Sequence, residues 1–386
     1  MKKIYYIAVV FAILFLAGCG DGIDLPGVNV ETDLNKIPLP DNNVNLEQVE
    51  LKPSTEPMLH EGLHTEEDFQ RIRDKKAAGE EPWVSAYQLL VESQFSQKTA
   101  DTYPTEWIKR GVSGDENYMN AARGATIVYQ QALRWKIEQD DEYAAKAVEN
   151  LNKWVQTCVG VTGNTNLSLA AGLYGYEFAI AGELLRDYGG WDRADFAAFQ
   201  NWLLKVFYPA NDDFLKRHHD TNALHYWANW CLCNIAAKMA IGIVTDRRDI
   251  YNEGIAHLQT GDTNGRLRRA IYHDYAPDYN FAQWQESGRD QGHTLMCVGL
   301  MGIICQLAWS QGDDFFAYDD NLFMRACEYA ACCNYTNETV PYTTYIWQKQ
   351  SQWGYPIPEE QTTLGGGKWI KRAIWALPYY HYKGVK

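Results

Sequence analysis

Asn222, His225 and Asn229 follow one another at spacings of three and four residues, among Tyr226, Trp227 and Trp230. On a helix they form one polar stripe. An amide and imidazole stripe on an otherwise apolar helix must find partners or line a wet cavity. A second run, Arg268-Arg269-Ala270-Ile271-Tyr272-His273-Asp274-Tyr275-Ala276, is followed by Glu286-Ser287-Gly288-Arg289-Asp290-Gln291-Gly292-His293. Together the runs supply an amide, imidazoles, phenols and guanidiniums, the groups needed to remove a proton from a carbon beside a carboxylate. No Gly-rich phosphate loop, zinc spacing or serine elbow competes with them.

Polymers of uronic acids suit that set. A base takes the C5 proton, next to the C6 carboxylate, and the O4 glycosidic bond is expelled to leave a C4–C5 double bond. The enzyme must neutralise the carboxylate, stabilise the enolate-like intermediate, and supply a base and an acid. Asn and His donors with an Arg fit the first task. A Tyr phenol fits the acid–base task once nearby cations lower its pKa. Whether a Tyr or a His takes the C5 proton stays open, as does the choice among Tyr272, Tyr275 and Tyr279.

The elements that must position these residues read as helices. Patterns cover 66–77, 82–97, 117–137, 141–157, 166–187, 192–206, 220–243, 246–258, 289–310, 317–333 and 369–382. Asp140 precedes one of them, and Gly189-Gly190 and Gln311-Gly312-Asp313 end two others. Long apolar helices (166–187, 220–243, 289–310) alternate with shorter ones carrying charged faces, as an inner and an outer ring require. The expected fold is all-α: an (α/α) toroid, or incomplete barrel, of five to seven helical hairpins. An irregular bundle or solenoid is the alternative. The aromatic stretch 334–366 reads as a loop or short hairpin over the cleft, with Gly365-Gly366-Gly367 as a hinge.

The two runs resemble those of the (α/α)-barrel alginate lyases, in which an Asn/His-Tyr-Trp motif on an inner helix is followed by an Arg-Ala motif leading to Tyr-His-x-Tyr-Ala. Across Asn222 to His293, and more loosely from about His60, the chain is most similar to polysaccharide lyase family 38. The resemblance implies Asn222 and His225 as the carboxylate-neutralising pair, Tyr275 as the catalytic Tyr, and Arg268 or Arg269 as substrate-binding. It adds Arg289 to the catalytic set, and Glu286 and His293 to the same cleft. Two residues separate Asn222 from His225 here, whereas the family's best-known motif has Asn and His adjacent; Asn229 or His293 could take over one role. Trp227 and Trp284 are candidates for stacking on sugar faces, with core packing as the alternative. Arg123 and Asn166, on earlier helices, are further candidates for substrate contact. Glu286 with Arg289 also fits a plain i+3 ion pair, and His293 a partner of Asp290. His218-His219-Asp220 reads as a capping segment. No cofactor and no metal is implied.

Lys2, Lys3 and the apolar run Ile4 to Leu16 form an export signal too short to span a membrane. It ends in Leu16-Ala17-Gly18-Cys19, which resembles a lipobox. The expected organisation is a lipoprotein signal peptide (1–18), an extended tether (19–58) and a catalytic domain (59–386). An acylated Cys19 would hold the protein at the periplasmic or outer-membrane surface of a Gram-negative bacterium. A formal net charge of −14, more negative by two without Lys2 and Lys3, argues against a nucleic-acid partner. An anionic polysaccharide remains compatible, since a cleft can be locally basic on an acidic protein. A monomer is expected. The other cysteines lie mostly in apolar stretches and read as buried thiols, with at most one disulfide.

Two other functions fit the sequence. A glycoside hydrolase on a similar barrel would use two carboxylates from Asp274, Asp278 and Glu286. A non-catalytic surface lipoprotein would capture glycans on the aromatic stretch 342–355.

Overall fold

The computed structural model describes residues 42–46 and 54–385. The export signal, Cys19 and most of the expected tether lie outside the described residues. Four helices form an inner row: α3 (Tyr118–Glu138), α5 (Leu167–Leu185), α8 (Ala228–Val244) and α11 (Gln291–Ser310), each packed on the next. Each is followed by an outer helix running back along it: α4 (Asp141–Thr157), α6 (Arg193–Val206), α9 (Arg248–Thr260) and α12 (Tyr318–Tyr335). α1 (Glu66–Ala77) and α2 (Trp83–Glu92) add a fifth hairpin beside α3. The short α13 (Ala376–Tyr382) packs on α11 and α12 and reaches α2 through Trp83 and Tyr380, with ring centres 6.5 Å apart. This is the expected (α/α) toroid.

Side-chain size separates the layers. α5 and α8 are rich in Ala and Gly and buried almost throughout, so their backbones approach closely. A Cβ on Gly172 would lie 2.5 Å from Cys233 Sγ and 3.0 Å from the Asn234 amide. α4 buries one stripe only (Tyr143, Ala144, Ala147, Val148, Leu151, Trp154) and gives its charges to water. Local signals set several starts: a Thr65–Asp68 capping box opens α1, Asp140 caps α4 and Asp192 caps α6.

The inner helices are parallel, so their N-termini share one end of the ring. That end carries the strands found among the described residues: β1 (Trp107–Arg110) pairs with β2 (Gly160–Gly163) ahead of α3 and α5. β3 (Ile271–Asp274) pairs with β4 (Ala282–Trp284) ahead of α11, after the single turn α10 (Leu267–Ala270). β5 (Tyr345–Gln350) and β6 (Pro356–Gln361) form the expected hairpin. The opposite end is sealed by residues 54–64. Gln311 binds the Leu59 and Glu61 carbonyls, His60 meets Asp246, His64 meets Tyr129, and Arg248 holds the Glu56 and Pro57 carbonyls. Residues 54–58, placed in the tether by composition, thus pack on the domain. Asn42 does so too, exchanging two hydrogen bonds with the Ile346 backbone.

Three expectations change. The 220–243 helix starts only at Ala228, because His218, His219 and Asp220 take left-handed conformations (φ 51°, 53° and 60°) and Asn222 Oδ1 closes a turn onto the Leu224 amide. A helix α7 (Tyr208–Arg217) fills the gap left between the 192–206 and 220–243 patterns, with Pro209 in its first turn, where a missing N–H costs nothing. Gly365 and Gly366 are not a joint but bind the start of α11, through Ser287 O and the Gln291 amide. The eight described cysteines are all buried free thiols.

Candidate active site

The late start of α8 removes the expected polar stripe. Asn222 and His225 lie in the turn before the helix, and Asn229 is buried inside it. What fixes the pair is the β5–β6 hairpin. Asn222 Nδ2 donates to Gln348 O (3.0 Å) and Gln350 Oε1 (2.8 Å), and its own N–H donates to the same Oε1 at 3.0 Å. The Gln350 amide donates to His225 Nδ1 at 2.8 Å, so the neutral ring carries its proton on Nε2. The ring stacks on Trp347 at 5.8 Å. Burial lowers the His225 pKa to about 4, partly offset by the Gln348 carbonyl. At neutral pH the imidazole is therefore a hydrogen-bond donor.

From His225 an aromatic wall runs along the hairpin. Trp347 stacks on Trp227 at 4.8 Å, Trp227 meets Tyr345 at 6.3 Å, and Tyr345 meets Tyr272 at 5.1 Å. Beyond it lies Tyr275, whose hydroxyl donates to Gln283 Oε1 at 2.5 Å and sits 3.1 Å from Thr343 Oγ1. Gln283 Nε2 donates to the Tyr272 hydroxyl at 3.0 Å, joining the two phenols. Burial raises the Tyr275 pKa and no cation offsets it, contrary to the lowering expected from sequence. His273 packs on Tyr275 with ring centres 4.6 Å apart, and burial keeps it neutral. One wall thus holds both groups, but they meet the hairpin at Trp347 and Thr343, four residues or about 13 Å apart in extended chain.

Arg289 lies at mid-wall, its guanidinium 5.2 Å above the Trp227 ring and its Nη1 3.1 Å from Glu286 Oε2. Glu286 itself is fully buried. Its Oε1 accepts from the Asn229 amide and from Asn229 Nδ2, both at 2.7 Å, while Gln285 Oε1 takes the Ala228 amide at 3.0 Å. These two side chains supply the cap that Trp227 cannot give α8, and the carboxylate lies at the positive end of the helix. α11 is capped conventionally: Asp290 Oδ1 accepts from the His293 amide at 2.8 Å, and Oδ2 lies 2.5 Å from His293 Nδ1. With all four inner N-termini at this end, the mouth of the ring favours an anion.

A model of alginate lyases matches residues 72–338. The chain belongs to the alginate lyase family. Membership makes it a polysaccharide lyase. Solved structures similar to it include a His-to-Ala variant of alginate lyase A1-III complexed with a tetrasaccharide, at 13% identity and TM-score 0.54, covering 69% of this chain and 75% of that one. A Tyr-to-Phe variant of the same lyase complexed with a tetrasaccharide has 14% identity and TM-score 0.52, over 71% and 76%. Alginate lyase A1-III from Sphingomonas species A1 is 13% identical, with TM-score 0.48, over 70% and 80%. At such identity the likeness is one of fold. No curated protein matches the chain.

The other residues expected in this lyase's cleft differ in where they lie. Trp284 is core, packed on Phe323 and donating to the Ala326 carbonyl. Glu286 caps α8 rather than facing sugar. Arg268 pairs with Asp319 of α12. Arg269 lies near Tyr345, whose phenol burial pushes up, with Gln285 and Arg269 offsetting only part of the rise. His293 is tied to Asp290. Asn166 donates to Asn164 Oδ1 at 2.9 Å at the start of α5, and Arg123 is exposed on α3. Two of the three hydrolase carboxylates are committed as well: Asp274 is held by Arg325 at 2.7 Å, which lowers its pKa against burial, and every Glu286 oxygen is bonded, while Asp278 is exposed. Sequence reading missed Gln283, Thr343, Trp347 and Gln350, which act only through contacts between distant segments. It also gave His273 no role, although the quoted motif contains it.

Proposed function

We propose that the chain cleaves alginate, mannuronate-rich, or a related polyuronate such as glucuronan, by β-elimination at the 4-O-glycosidic bond. Within the family we place it nearest polysaccharide lyase family 38. The observation that carries the reading is the aromatic wall with Arg289 over Trp227, at the positive ends of four helices, holding a phenol at one end and an imidazole donor at the other.

Because the two ends are a strand's length apart, the roles divide. At the Tyr275 end the neutral imidazole of His273 takes the C5 proton. The C5–H electron pair becomes the C4–C5 double bond, the C4–O4 bond breaks, and the Tyr275 phenol protonates O4. The raised pKa keeps the phenol protonated at neutral pH, so the proton is there to give. Arg289 offsets the charge building on the carboxylate and enolate. At the other end His225 donates through Nε2 to the carboxylate of a uronate further along the polymer, while Asn222, its amide hydrogens spent on the hairpin, holds the Gln350 that orients the imidazole.

Ultraviolet absorbance of the conjugated double bond, followed on polymannuronate and glucuronan, tests the reading. Wild type should produce it. Tyr275→Phe should lower kcat by about a hundredfold or more with unchanged folding, and His225→Ala should mainly raise KM. Absence of any signal on every polyuronate would remove the proposal; wild-type rates in both variants would remove the assignment of roles.

A further inference from the structure

The interior cations of this domain are almost all matched: Arg134 with Glu138, Arg186 with Glu183, Lys238 with Asp212 and Glu253, Arg325 with Asp274. Arg110 is not. It ends β1, its side chain is half-buried, and it makes no hydrogen bond or ion pair among the described residues; Nη1 is shut off from solvent without a partner. Its guanidinium lies 4.7 Å over the Tyr118 ring, which stacks on Tyr174 of α5 at 6.4 Å, and its charge reaches Tyr174 and Cys233. The side chain therefore projects between the first turn of α3 and the second turn of α5 towards α8.

No carboxylate among the described residues pairs with it. Asp115 is taken by Lys109, and Glu116 accepts from the Gly111 amide. Glu177, one turn below Tyr174, is enclosed by Ala125, Thr126, Tyr129 and Ile180, and burial pushes its pKa up to about 8, so it is neutral. The backbone around Arg110 is tightly built: at Gly163 of β2, with φ 142°, a Cβ would lie 1.7 Å from the Arg110 carbonyl. The position is continuous with the wall. Cys233 Sγ bonds the Trp230 carbonyl, Trp230 packs on Tyr226 at 4.8 Å, and Tyr226 on His225 at 4.8 Å.

An unmatched, partly desolvated guanidinium costs stability, and such costs persist at functional sites. We infer that Arg110 is a carboxylate-binding subsite, taking the acid group of a uronate that lies inside the ring beyond the residues held by His225. The inference rests on the polyuronate reading above. Its planar fork can bind a carboxylate through two hydrogen bonds while Tyr118 supports its face.

Arg110→Met and Arg110→Lys, measured on polymannuronate and on the same polymer with its carboxyls reduced to alcohols, test it. Arg110→Met should raise KM for the acid polymer about tenfold with kcat within about twofold, and should melt no lower than wild type. Arg110→Lys should keep most of the affinity, and calorimetric binding of the reduced polymer should be the same in all three proteins. An unchanged KM, an equal loss of affinity for acid and reduced polymers, or a lower melting temperature without a KM effect overturns the assignment. If wild type forms no unsaturated product, calorimetric binding of the acid polymer still decides: a tenfold loss in Arg110→Met keeps the subsite, and equal affinity removes it.

Discussion

At the residue scale, the side chains of this site are set by burial more than by charge. His225 is neutral because it is enclosed, and Tyr275 stays protonated because burial raises its pKa. The same physics gives Glu177 a measurable signature. Its folded pKa, about 8, lies above the ordinary 4.5, so its contribution to stability is full below pH 4.5 and is lost as pH rises through 8. Glu177→Gln keeps the neutral form at every pH. Melting temperatures of wild type and Glu177→Gln should agree near pH 4.5, with the variant increasingly higher towards pH 8; parallel curves would refute a neutral Glu177.

At the element scale, the start of α8 shows what the sequence concealed. Helix cores, their alternation in two layers and the hairpin over the mouth were legible, because apolar periodicity and turn residues report local structure. The first turn of α8 was not. Its caps, Gln285 and Glu286, come from far along the chain, and its preceding turn is shaped by β5. The motif from Asn222 to Trp230 therefore looked helical through its residue types while its conformation was decided elsewhere. Tyr275 and His225 stand out in the sequence by residue type, but their separation depends on hairpin register. Glu286→Gln should remove a buried charge that serves both the α8 amides and Arg289, costing about 3 kcal/mol and several degrees of melting temperature. A hydrolytic acid at that position would instead lose activity with melting unchanged, so differential scanning calorimetry beside a rate assay separates the two.

At the scale of the whole molecule, the ring has one worked end and one sealed end. The sealed end depends on the segment from Ser54 to His64, where His64 is enclosed beside Tyr129 and its pKa falls to about 4; His257 falls as far. For each, the folded pKa lies below the unfolded value of 6.5, so stability is complete above pH 6.5 and declines as pH falls towards 4. Circular dichroism melts should show that decline, and His64→Gln should flatten part of it. An unchanged melting temperature across the interval would count against the enclosure. The worked end gathers four helix N-termini, Arg289 and Arg110 in a protein of net charge −14, an arrangement that concentrates positive potential where an acidic polymer would enter. The central claim, that this mouth breaks the polymer by elimination, is tested most directly by mass analysis of products from defined oligomannuronates in water enriched in heavy oxygen. Elimination predicts one unsaturated fragment per cut, with no heavy oxygen placed at the cleaved bond. Saturated fragments carrying one heavy oxygen per cut would contradict the account.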